Sequence, residues 1–353
     1  MLCINQIYDG GAERVLSYLT NHFAEKGYDT VLITSFPHSE EYYISKNVKR
    51  INLDAGHKYK SRIQKNVIRV SGIRGACMRY NPDVIISFMA ASNVRCLFAT
   101  IGLGVRNIIS VRADPQLEYP GVLGKLTVNF LLSHADGCVF QTEKAKSWFP
   151  YILQKKSKVI GNPIGDDFYR VVRRPVTGRI VACGRLSPEK DYELLIEAFN
   201  SIHDEFSFTT LEIYGEGEQR HALIDIIHSL GISDHVTLHG QIKNVTDALA
   251  LADVYVLTSK SEGMPNALLE AMAAGIPCIA TDCTGVVEII KDGYNGYIVP
   301  VGDKISLIGR LEYLFNNRSE MERLAKNAKE YADILSSDKI FKMWDEYISE
   351  ICC

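Results

Sequence analysis

The sequence predicts an α/β protein with two doubly wound, Rossmann-like domains that face each other across a cleft. Short, β-branched apolar runs alternate with helix-length segments along most of the chain. This alternation is typical of parallel sheets whose two faces are covered by helices. The alternation breaks once, near the middle, and then resumes. Because 353 residues suffice for two full cores, we expect one doubly wound domain on either side of the break.

The first half carries six predicted strands. A strand over 2–7 leads into the turn Gly10-Gly11 and an amphipathic helix over 12–26. A double glycine lets backbone approach a ligand closely, although alone it is more often just a turn. It is not a full G-x-G-x-x-G, so dinucleotide binding is poorly supported. The other predicted strands are 30–34, 48–53, 83–88, 107–111 and 137–141.

The sequence GNPIG at 161–165 and the polar residues that follow predict the linker between the domains. We therefore place the N-terminal domain at 1–161 and the C-terminal domain at 162–337. A final amphipathic helix is predicted over 338–351. The predicted strands of the second half are 179–183, 209–214, 235–239, 253–258, 276–281 and 297–300.

Composition points to a globular protein of the cytoplasm. Hydrophobic residues make up 46% and charged residues 23% of the chain, and no apolar run approaches the roughly 18 residues of a membrane span. The nine cysteines include no Cys-x-x-Cys pair, so we expect reduced core thiols. The N-terminus lacks a basic leader and a cleavage site, so we expect no secretory signal.

Charge is distributed unevenly around a net of −3. Residues 1–160 carry 21 Lys/Arg and 12 Asp/Glu, a net charge of +9. The remaining residues carry 18 Lys/Arg and 30 Asp/Glu, a net charge of −12. The basic excess is greatest over 58–79, which has seven basic residues and no acid. This segment indicates either a helix resting on an anionic membrane surface or an ordinary solvated helix face. The candidate membrane or acceptor contacts are Lys58, Lys60, Arg62, Lys65 and Arg69.

The stretch 261–272, SEGMPNALLEAM, follows a predicted core strand and opens a helix at about Pro265. The first-turn N–H groups of a helix attract anions such as phosphate, and no charged residue stands between Gly263 and Leu269. Glu262 and Glu270 flank this helix end. The pattern suits a ligand with a central diphosphate and hydroxyls at both ends. An amphipathic helix with a capping acid is the alternative interpretation.

Further polar residues follow the other strands of the second half, at the edge where doubly wound sheets bind ligands. Arg185 and Lys190 follow its first predicted strand, and Glu216 follows its second. Two cations near an open helix end suit a diphosphate, and carboxylates accept hydrogen bonds from ligand hydroxyls. Each residue taken singly is more often a surface charge.

Several classes of site are disfavoured. No Asp-x-Asp and no His/Cys cluster has the spacing of metal ligands, so we expect no metal and no other cofactor. No Gly-x-Ser-x-Gly or Walker loop is present, which argues against hydrolases and NTPases. The basic segment has only two tyrosines nearby and no known module, so we expect no nucleic-acid partner.

Over essentially its whole length the chain resembles glycosyltransferase family 4, retaining enzymes of the GT-B fold. The most specific motif is Glu-x7-Glu, here Glu262 and Glu270. The supporting motifs are GGAERV (10–15), GNPI (161–164), GRLSPEKD (184–191), YGEGEQR (214–220) and GYNGYIVPVGD (293–303). The combination is most similar to the bacterial branch that builds O-antigen, capsule and exopolysaccharide repeat units on lipid carriers.

The resemblance implies that the second domain binds a nucleotide sugar and the first binds the acceptor. Arg185 and Lys190 would hold the donor diphosphate, Glu262 the transferred sugar and Glu270 the ribose. It also implies that the final helix, 338–353, packs back on the first domain. The remaining donor contacts it implies are Gly11, Glu216, Gly263, Met264, Pro265 and Asn266, with main chain at 239–242 for the base.

One departure concerns a histidine that many family members carry after the strand predicted here at 107–111. This sequence has Arg112 and Asp114 in that region. Either residue would take part of the histidine's role, Asp114 as a catalytic group and Arg112 as an acceptor contact.

The function implied is retaining transfer of a hexose or N-acetylhexosamine from a nucleotide sugar, a UDP-sugar above all, to a lipid-linked or glycan acceptor. The place implied is the cytoplasm, with peripheral attachment to the membrane. Two enzymatic alternatives are a related enzyme acting on a soluble acceptor and a sugar-nucleotide epimerase or phosphorylase. A silent subunit of a polysaccharide assembly complex is the alternative without catalysis.

Overall fold

The computed structural model describes residues 1–8, 10–242 and 244–352. They divide into two compact units, which are described separately. Unit 1 comprises Met1–Pro163 and Asp338–Cys353, and unit 2 comprises Ile164–Ser337. The chain passes from unit 1 to unit 2 inside the GNPIG sequence at 161–165.

Unit 1 is built on a seven-stranded sheet in which all neighbouring strands are parallel. The strand order is β3-β2-β1-β4-β5-β6-β7. Its strands are β1 (Leu2–Cys3), β2 (Val31–Thr34), β3 (Lys49–Asn52), β4 (Val84–Phe88), β5 (Arg106–Ser110), β6 (Gly137–Phe140) and β7 (Ser157–Val159). Strand β7 and the shortness of β1 were not predicted, because three-residue and two-residue strands give too little periodicity to detect.

Helices connect these strands. They are α1 (Gly11–Glu25), α2 (Arg62–Tyr80), α3 (Ala90–Ala99), α4 (Pro115–Glu118), α5 (Gly121–Leu126), α6 (Glu143–Ser147) and α7 (Tyr151–Lys155). Helix α5 continues through a π-helical stretch, Thr127–Leu131, into a 3-10 turn, Leu132–His134.

Unit 2 has a six-stranded parallel sheet of order β10-β9-β8-β11-β12-β13. Its strands are β8 (Arg179–Cys183), β9 (Thr210–Tyr214), β10 (Val236–Gly240), β11 (Val254–Leu257), β12 (Cys278–Thr281) and β13 (Tyr297–Val299). Its helices are α8 (Asp166–Tyr169), α9 (Tyr192–His203), α10 (Arg220–Ser229), α11 (Val245–Leu251), α12 (Asn266–Ala273), α13 (Lys304–Asn316) and α14 (Arg318–Ala332).

Both sheets reverse their strand order once, between β1 and β4 in unit 1 and between β8 and β11 in unit 2. This is the doubly wound arrangement, and it confirms the predicted α/β class. At such a reversal the loops after the two central strands diverge and leave a crevice at the carboxyl edge of the sheet. The loops after β8 and β11 are therefore the first place to look for a ligand site in unit 2.

The final helix, α15 (Ser337–Cys352), is anchored in unit 1 by aromatic residues. Trp344 is 1% exposed and stacks on Phe88 with 6.0 Å between ring centroids. The Cys138 N–H donates to the Tyr347 hydroxyl at 2.8 Å. Asp345 pairs with Lys26 at 2.5 Å. These contacts make a segment from the end of the chain part of the core of unit 1.

We predict that Trp344→Ala lowers the free energy of unfolding by about 3–5 kcal/mol, because removing a buried indole leaves a cavity over Phe88. Urea denaturation followed by circular dichroism measures this change. The matched control is Lys342→Ala on the same helix, whose side chain is 77% exposed and which we expect to change stability by less than about 0.5 kcal/mol. Equal denaturation midpoints for the two variants would contradict the anchoring role.

Candidate functional site

Three loops meet at the carboxyl edge of the sheet of unit 2, after β8, β9 and β11. The backbone joins the first two: the Gly184 N–H donates to Tyr214 O at 2.9 Å and the Leu186 N–H donates to Glu216 O at 2.9 Å. A Cβ on Gly215 would lie 1.8 Å from Gly184 O, so only glycine permits this approach. The loops carrying Arg185, Lys190 and Glu216 are thus held against each other.

The third loop is joined to the first by an ion pair. Lys190 Nζ lies 2.5 Å from Glu262 Oε1, and the two side chains are only 20% and 12% exposed. The Ser259 hydroxyl donates to the same carboxylate oxygen at 2.7 Å. The Thr258 hydroxyl donates to Lys190 O at 2.9 Å. Residues at the end of β11 therefore fix both partners of the pair.

A second contact between these loops lies beside the ion pair. The Lys260 N–H donates to Glu189 O at 2.7 Å, and Lys260 Nζ lies 3.1 Å from Asp191 Oδ1. Asp191 has a left-handed backbone with φ of 52°, which aspartate tolerates better than most residues. Lys190 is consequently held on both sides by the loop that carries Glu262.

Helix α12 opens next to Glu262. Pro265 is its N-cap, no side chain caps it, and its first turn contains no acid. The helix dipole and first-turn N–H groups therefore favour an anion at this end. A Cβ on Gly285 would lie 2.4 Å from Gly263 O, so the loop after β12 packs directly on the backbone before the helix. The backbone at 263–266 is thereby held in place.

Glu270 lies one turn inside α12 and is 4% exposed. Burial and then the charge of Glu270 raise the pKa of the Cys183 thiol, which places the carboxylate near the end of β8. The sequence predicted a carboxylate one turn below the helix end. In the structure Glu270 is buried at the carboxyl edge of the sheet of unit 2.

Glu216, a predicted donor contact, is exposed. Its side chain is 48% exposed and pairs with Arg220 at 3.0 Å, one helical turn along the chain. Nearby, the His239 ring stacks on Tyr214 at 4.3 Å and its Nε2 lies 2.5 Å from Glu212 Oε2. The main chain at 239–242, which is expected to contact the nucleotide base, thus begins at the stacked pair His239–Tyr214. This pair was not predicted from the sequence.

In unit 1, Gly11 is the first residue of α1, and Gly10 is its N-cap. Asp114 accepts a hydrogen bond from the Gln116 N–H at 2.9 Å and caps the short helix α4. The structure therefore gives Asp114 a capping contact, and its proposed catalytic part remains a prediction.

The structure places Arg112, the predicted acceptor contact, in a buried position, and its contact with an acceptor remains a prediction. Arg112 is 6% exposed, donates from Nε to Ser110 Oγ at 2.7 Å, and donates from Nη1 to Asn162 Oδ1 at 3.0 Å. Its guanidinium also lies 4.4 Å from the centre of the Phe88 ring. Burial lowers the pKa of Arg112 to about 9. This side chain supports the interior of unit 1.

Glu118 is a residue that sequence reasoning missed. Its Oε2 accepts from the N–H groups of Arg112 and Ala113, both at 3.3 Å, and its carboxylate also meets the Ala90 N–H at the start of α3. Burial raises the pKa of Glu118 to about 7. The carboxylate thus occupies a helix N-terminus beside the strand reversal of unit 1. The only signal in the sequence was an acid four residues after Asp114.

The basic segment 58–79 divides into two parts. Lys58, Lys60 and Arg62 are exposed. Arg69 is buried and donates to both oxygens of Asp54 at 2.9 and 2.6 Å, so in this structure its charge is paired inside unit 1. Its membrane or acceptor contact remains a prediction. Lys65 Nζ lies 3.8 Å from the same carboxylate.

The apolar side chains of helix α2 are also divided. Ile73 is in the core, whereas Ile63 and Val67 are largely exposed. Across the described ranges 1–8, 10–242 and 244–352, no helix is long and apolar enough to cross a membrane. Within the same residues no group of His, Cys, Asp and Glu could hold a metal ion.

Comparison with known proteins gives matches along the whole chain. Residues 174–331 match the family described as glycosyl transferases group 1. A Campylobacter jejuni relative is 27% identical over 363 residues, covering 99% of this chain and 97% of that protein. It is named GalNAc-alpha-(1->4)-GalNAc-alpha-(1->3)-diNAcBac-PP-undecaprenol alpha-1,4-N-acetyl-D-galactosaminyltransferase. An Erwinia amylovora relative, the amylovoran biosynthesis glycosyltransferase AmsD, is 26% identical, with 96% of each chain covered.

A third relative matches in part. An exopolysaccharide phosphotransferase of Streptomyces coelicolor is 34% identical over 222 residues, which cover 61% of this chain. The aligned region is 23% of that protein, so the chain spans less than a quarter of its length.

Among solved structures, Anabaena HepE in complex with UDP and glucose superposes with a TM-score of 0.84 at 16% identity, covering 99% of this chain and 98% of that one. A sucrose-phosphate synthase of Thermosynechococcus elongatus gives 0.85 at 18% identity with the same coverage. These likenesses confirm the predicted fold.

We predict that Gly215→Ala separates the loops after β8 and β9, because the added methyl group would overlap Gly184 O. Overpacking of this kind costs about 1–3 kcal/mol of unfolding free energy, measured by urea denaturation. The control is Gly309→Ala, an open position in α13, where alanine should stabilise by up to about 1 kcal/mol. An equal effect of the two substitutions would show that the contact does not constrain the loops.

Proposed function

We propose that the chain is a glycosyltransferase of group 1 that catalyses retaining transfer of a hexose or N-acetylhexosamine from a UDP-sugar to a lipid-linked acceptor. The process we propose is synthesis of a cell-surface polysaccharide. The observation that carries the proposal is the Lys190–Glu262 ion pair beside the uncapped start of α12, at the strand reversal of unit 2.

The donor diphosphate would lie at the start of α12, with Lys190 and Arg185 adding positive charge. Lys190 supplies a compact point charge, whereas the guanidinium of Arg185 is able to contact two phosphate oxygens at once. As the bond to the sugar breaks, negative charge develops on the leaving nucleotide. Cations and helix N–H groups fixed in advance stabilise that charge without reorganisation.

Glu262 would contact the transferred sugar and Glu270 the ribose that stays with the nucleotide. Both are carboxylates, which accept hydrogen bonds from hydroxyl groups. The Ser259 hydroxyl and Lys190 orient Glu262, so its free oxygen has a defined direction. Binding of the diphosphate would draw Lys190 towards phosphate and release Glu262 for the sugar.

For the chemical step we propose attack by the acceptor hydroxyl on the face of the sugar that the nucleotide leaves. The leaving phosphate oxygen would take the hydroxyl proton. The new glycosidic bond forms as the sugar–phosphate bond breaks, so the configuration is retained and no protein nucleophile is required. Metal would play no part.

The names of two relatives support a lipid-linked acceptor and polysaccharide synthesis. The Campylobacter protein is named for transfer to a sugar chain on PP-undecaprenol, and the Erwinia protein for amylovoran biosynthesis. A lipid-linked acceptor implies work at the cytoplasmic face of a membrane, with peripheral attachment. Unit 1 would bind the acceptor.

We predict that Lys190→Ala and Glu262→Ala each lower sugar transfer by about 10²–10³-fold, the usual effect of removing one electrostatic contact to a developing charge. Transfer of radiolabelled sugar from the nucleotide to a lipid-linked acceptor measures this. The control Lys326→Ala removes a lysine of unit 2 whose side chain is 77% exposed, and it should leave transfer unchanged. Unchanged transfer in the two site variants would exclude this site.

We also predict that UDP raises the melting temperature more than 2′,3′-dideoxy-UDP does, because a ligand of the native state stabilises it in proportion to its affinity. Glu270→Gln should reduce that difference, and Glu218→Gln, an exposed acid nearby, should preserve it. A panel of nucleotide sugars in the same assay selects the donor.

If the sugar is epimerised without any acceptor, the enzyme is an epimerase instead.

A further inference from the structure

Large exposed apolar side chains concentrate on one part of unit 1. Six of them lie between residues 121 and 152 and are 46–78% exposed. We refer to this set as the apolar surface. Its members are Val122, Leu123, Leu126, Phe130, Tyr151 and Ile152. Single exposed apolar residues are common on proteins, but a contiguous group usually marks an interaction site.

The apolar surface has a helical framework. Helix α5 and its π-helical and 3-10 continuations run without interruption from Gly121 to His134. Val122, Leu126 and Phe130 recur every four residues and so share one face. The opposite side of the helix packs in the core of unit 1, where Val128 and Leu132 are buried. The exposed side is thus apolar where a solvent-facing helix normally carries polar residues.

A cavity joins this helix to the second part of the apolar surface. It has a volume of about 400 Å³ and is lined by Lys125, Val128, Asn129, Trp148, Phe149 and Pro150. Tyr151 and Ile152 follow Pro150 directly at the start of α7. Leu126 and Phe130 are thus sequence neighbours of lining residues on one side of this cavity, and Tyr151 follows a lining residue on the other.

The charges around the apolar surface are mainly positive. Residues 119–156 carry five lysines and two acids, Asp136 and Glu143. Both acids have cationic partners, at 3.2 Å from Arg106 and 3.6 Å from Lys146. Lys155 lies over the Tyr151 ring at 4.6 Å.

The basic helix α2 lies on the same side of unit 1. It packs on α3, and α3 packs on the 3-10 turn that ends the framework helix. Lys58, Lys60 and Arg62 are exposed at and before the start of α2. Positive charge is thus available on both sides of α3.

Apolar side chains flanked by lysines, with Trp and Tyr at their border, are typical of proteins that lie in a membrane interface. Anionic lipid attracts the lysines, and the acyl region accepts the apolar side chains. We propose that the apolar surface inserts into an anionic lipid bilayer and holds unit 1 at the membrane, where a lipid-linked acceptor is presented. The inference rests on the proposed function for the acceptor, but the membrane contact is testable without it.

The test is flotation of the full chain with vesicles of phosphatidylglycerol and phosphatidylcholine. The double variant Leu123→Ser/Phe130→Ser should lower partition by at least about tenfold, since two large side chains no longer enter the bilayer. Ile63→Ser/Val67→Ser is the matched control, because it removes two exposed apolar side chains from α2. It should stay within about twofold of the unaltered chain.

Tryptophan fluorescence adds a local readout. The chain has two tryptophans, and Trp344 is buried, so a blue shift on adding vesicles reports on Trp148 beside the cavity. We expect this shift for the unaltered chain and its loss in Leu123→Ser/Phe130→Ser. Raised salt should weaken binding by screening the lysines.

Three outcomes would overturn the inference: no flotation of the unaltered chain, equal flotation of the two double variants, or a dimer that only Leu123→Ser/Phe130→Ser dissociates. The last result would assign the apolar surface to contact with a second copy of this chain.

Transfer of sugar to a detergent-solubilised acceptor separates this inference from the proposed function. If Leu123→Ser/Phe130→Ser keeps that transfer, the transferase assignment stands whatever the vesicles show.

Discussion

The ion pair between Lys190 and Glu262 is the interaction on which the site in unit 2 depends. It joins the loops after the two strands at which the sheet reverses, and it is mostly shielded from water. Partial burial makes each charge costly without the other, so each residue maintains the other in position. The ion pair holds the ammonium group of Lys190 next to the uncapped start of α12. Without the pair, an anionic ligand would itself have to bring the cation and the helix end together.

Much of this arrangement was predictable from sequence, because it depends on local order. The strands of unit 2 are apolar runs bounded by polar turns, and parallel strands bring the residues that follow them to one edge. Arg185, Lys190, Glu216 and Glu262 could therefore be assigned to that edge without coordinates. That Lys190 and Glu262 pair directly could not be foreseen, since they are 72 residues apart.

Unit 1 shows where sequence reasoning stops. Arg69 and Arg112 look like surface cations, but Asp54 and Asn162 accept their hydrogen bonds in the interior. Neither partner is marked by periodicity or motif. The apolar surface escaped detection for a related reason: the period of four in 122–130 is the same whether a helix faces a core or a bilayer. Only packing of the opposite side decides which side remains exposed.

The anchoring of Trp344 has a consequence for the order of folding. Unit 2 is continuous in sequence, so all its strands are available once Ser337 has been synthesised. Unit 1 begins first but lacks the side chain that covers Phe88 until the last helix is made. All of unit 2 is therefore synthesised before unit 1 is complete, and until then Phe88 lacks its stacking partner Trp344.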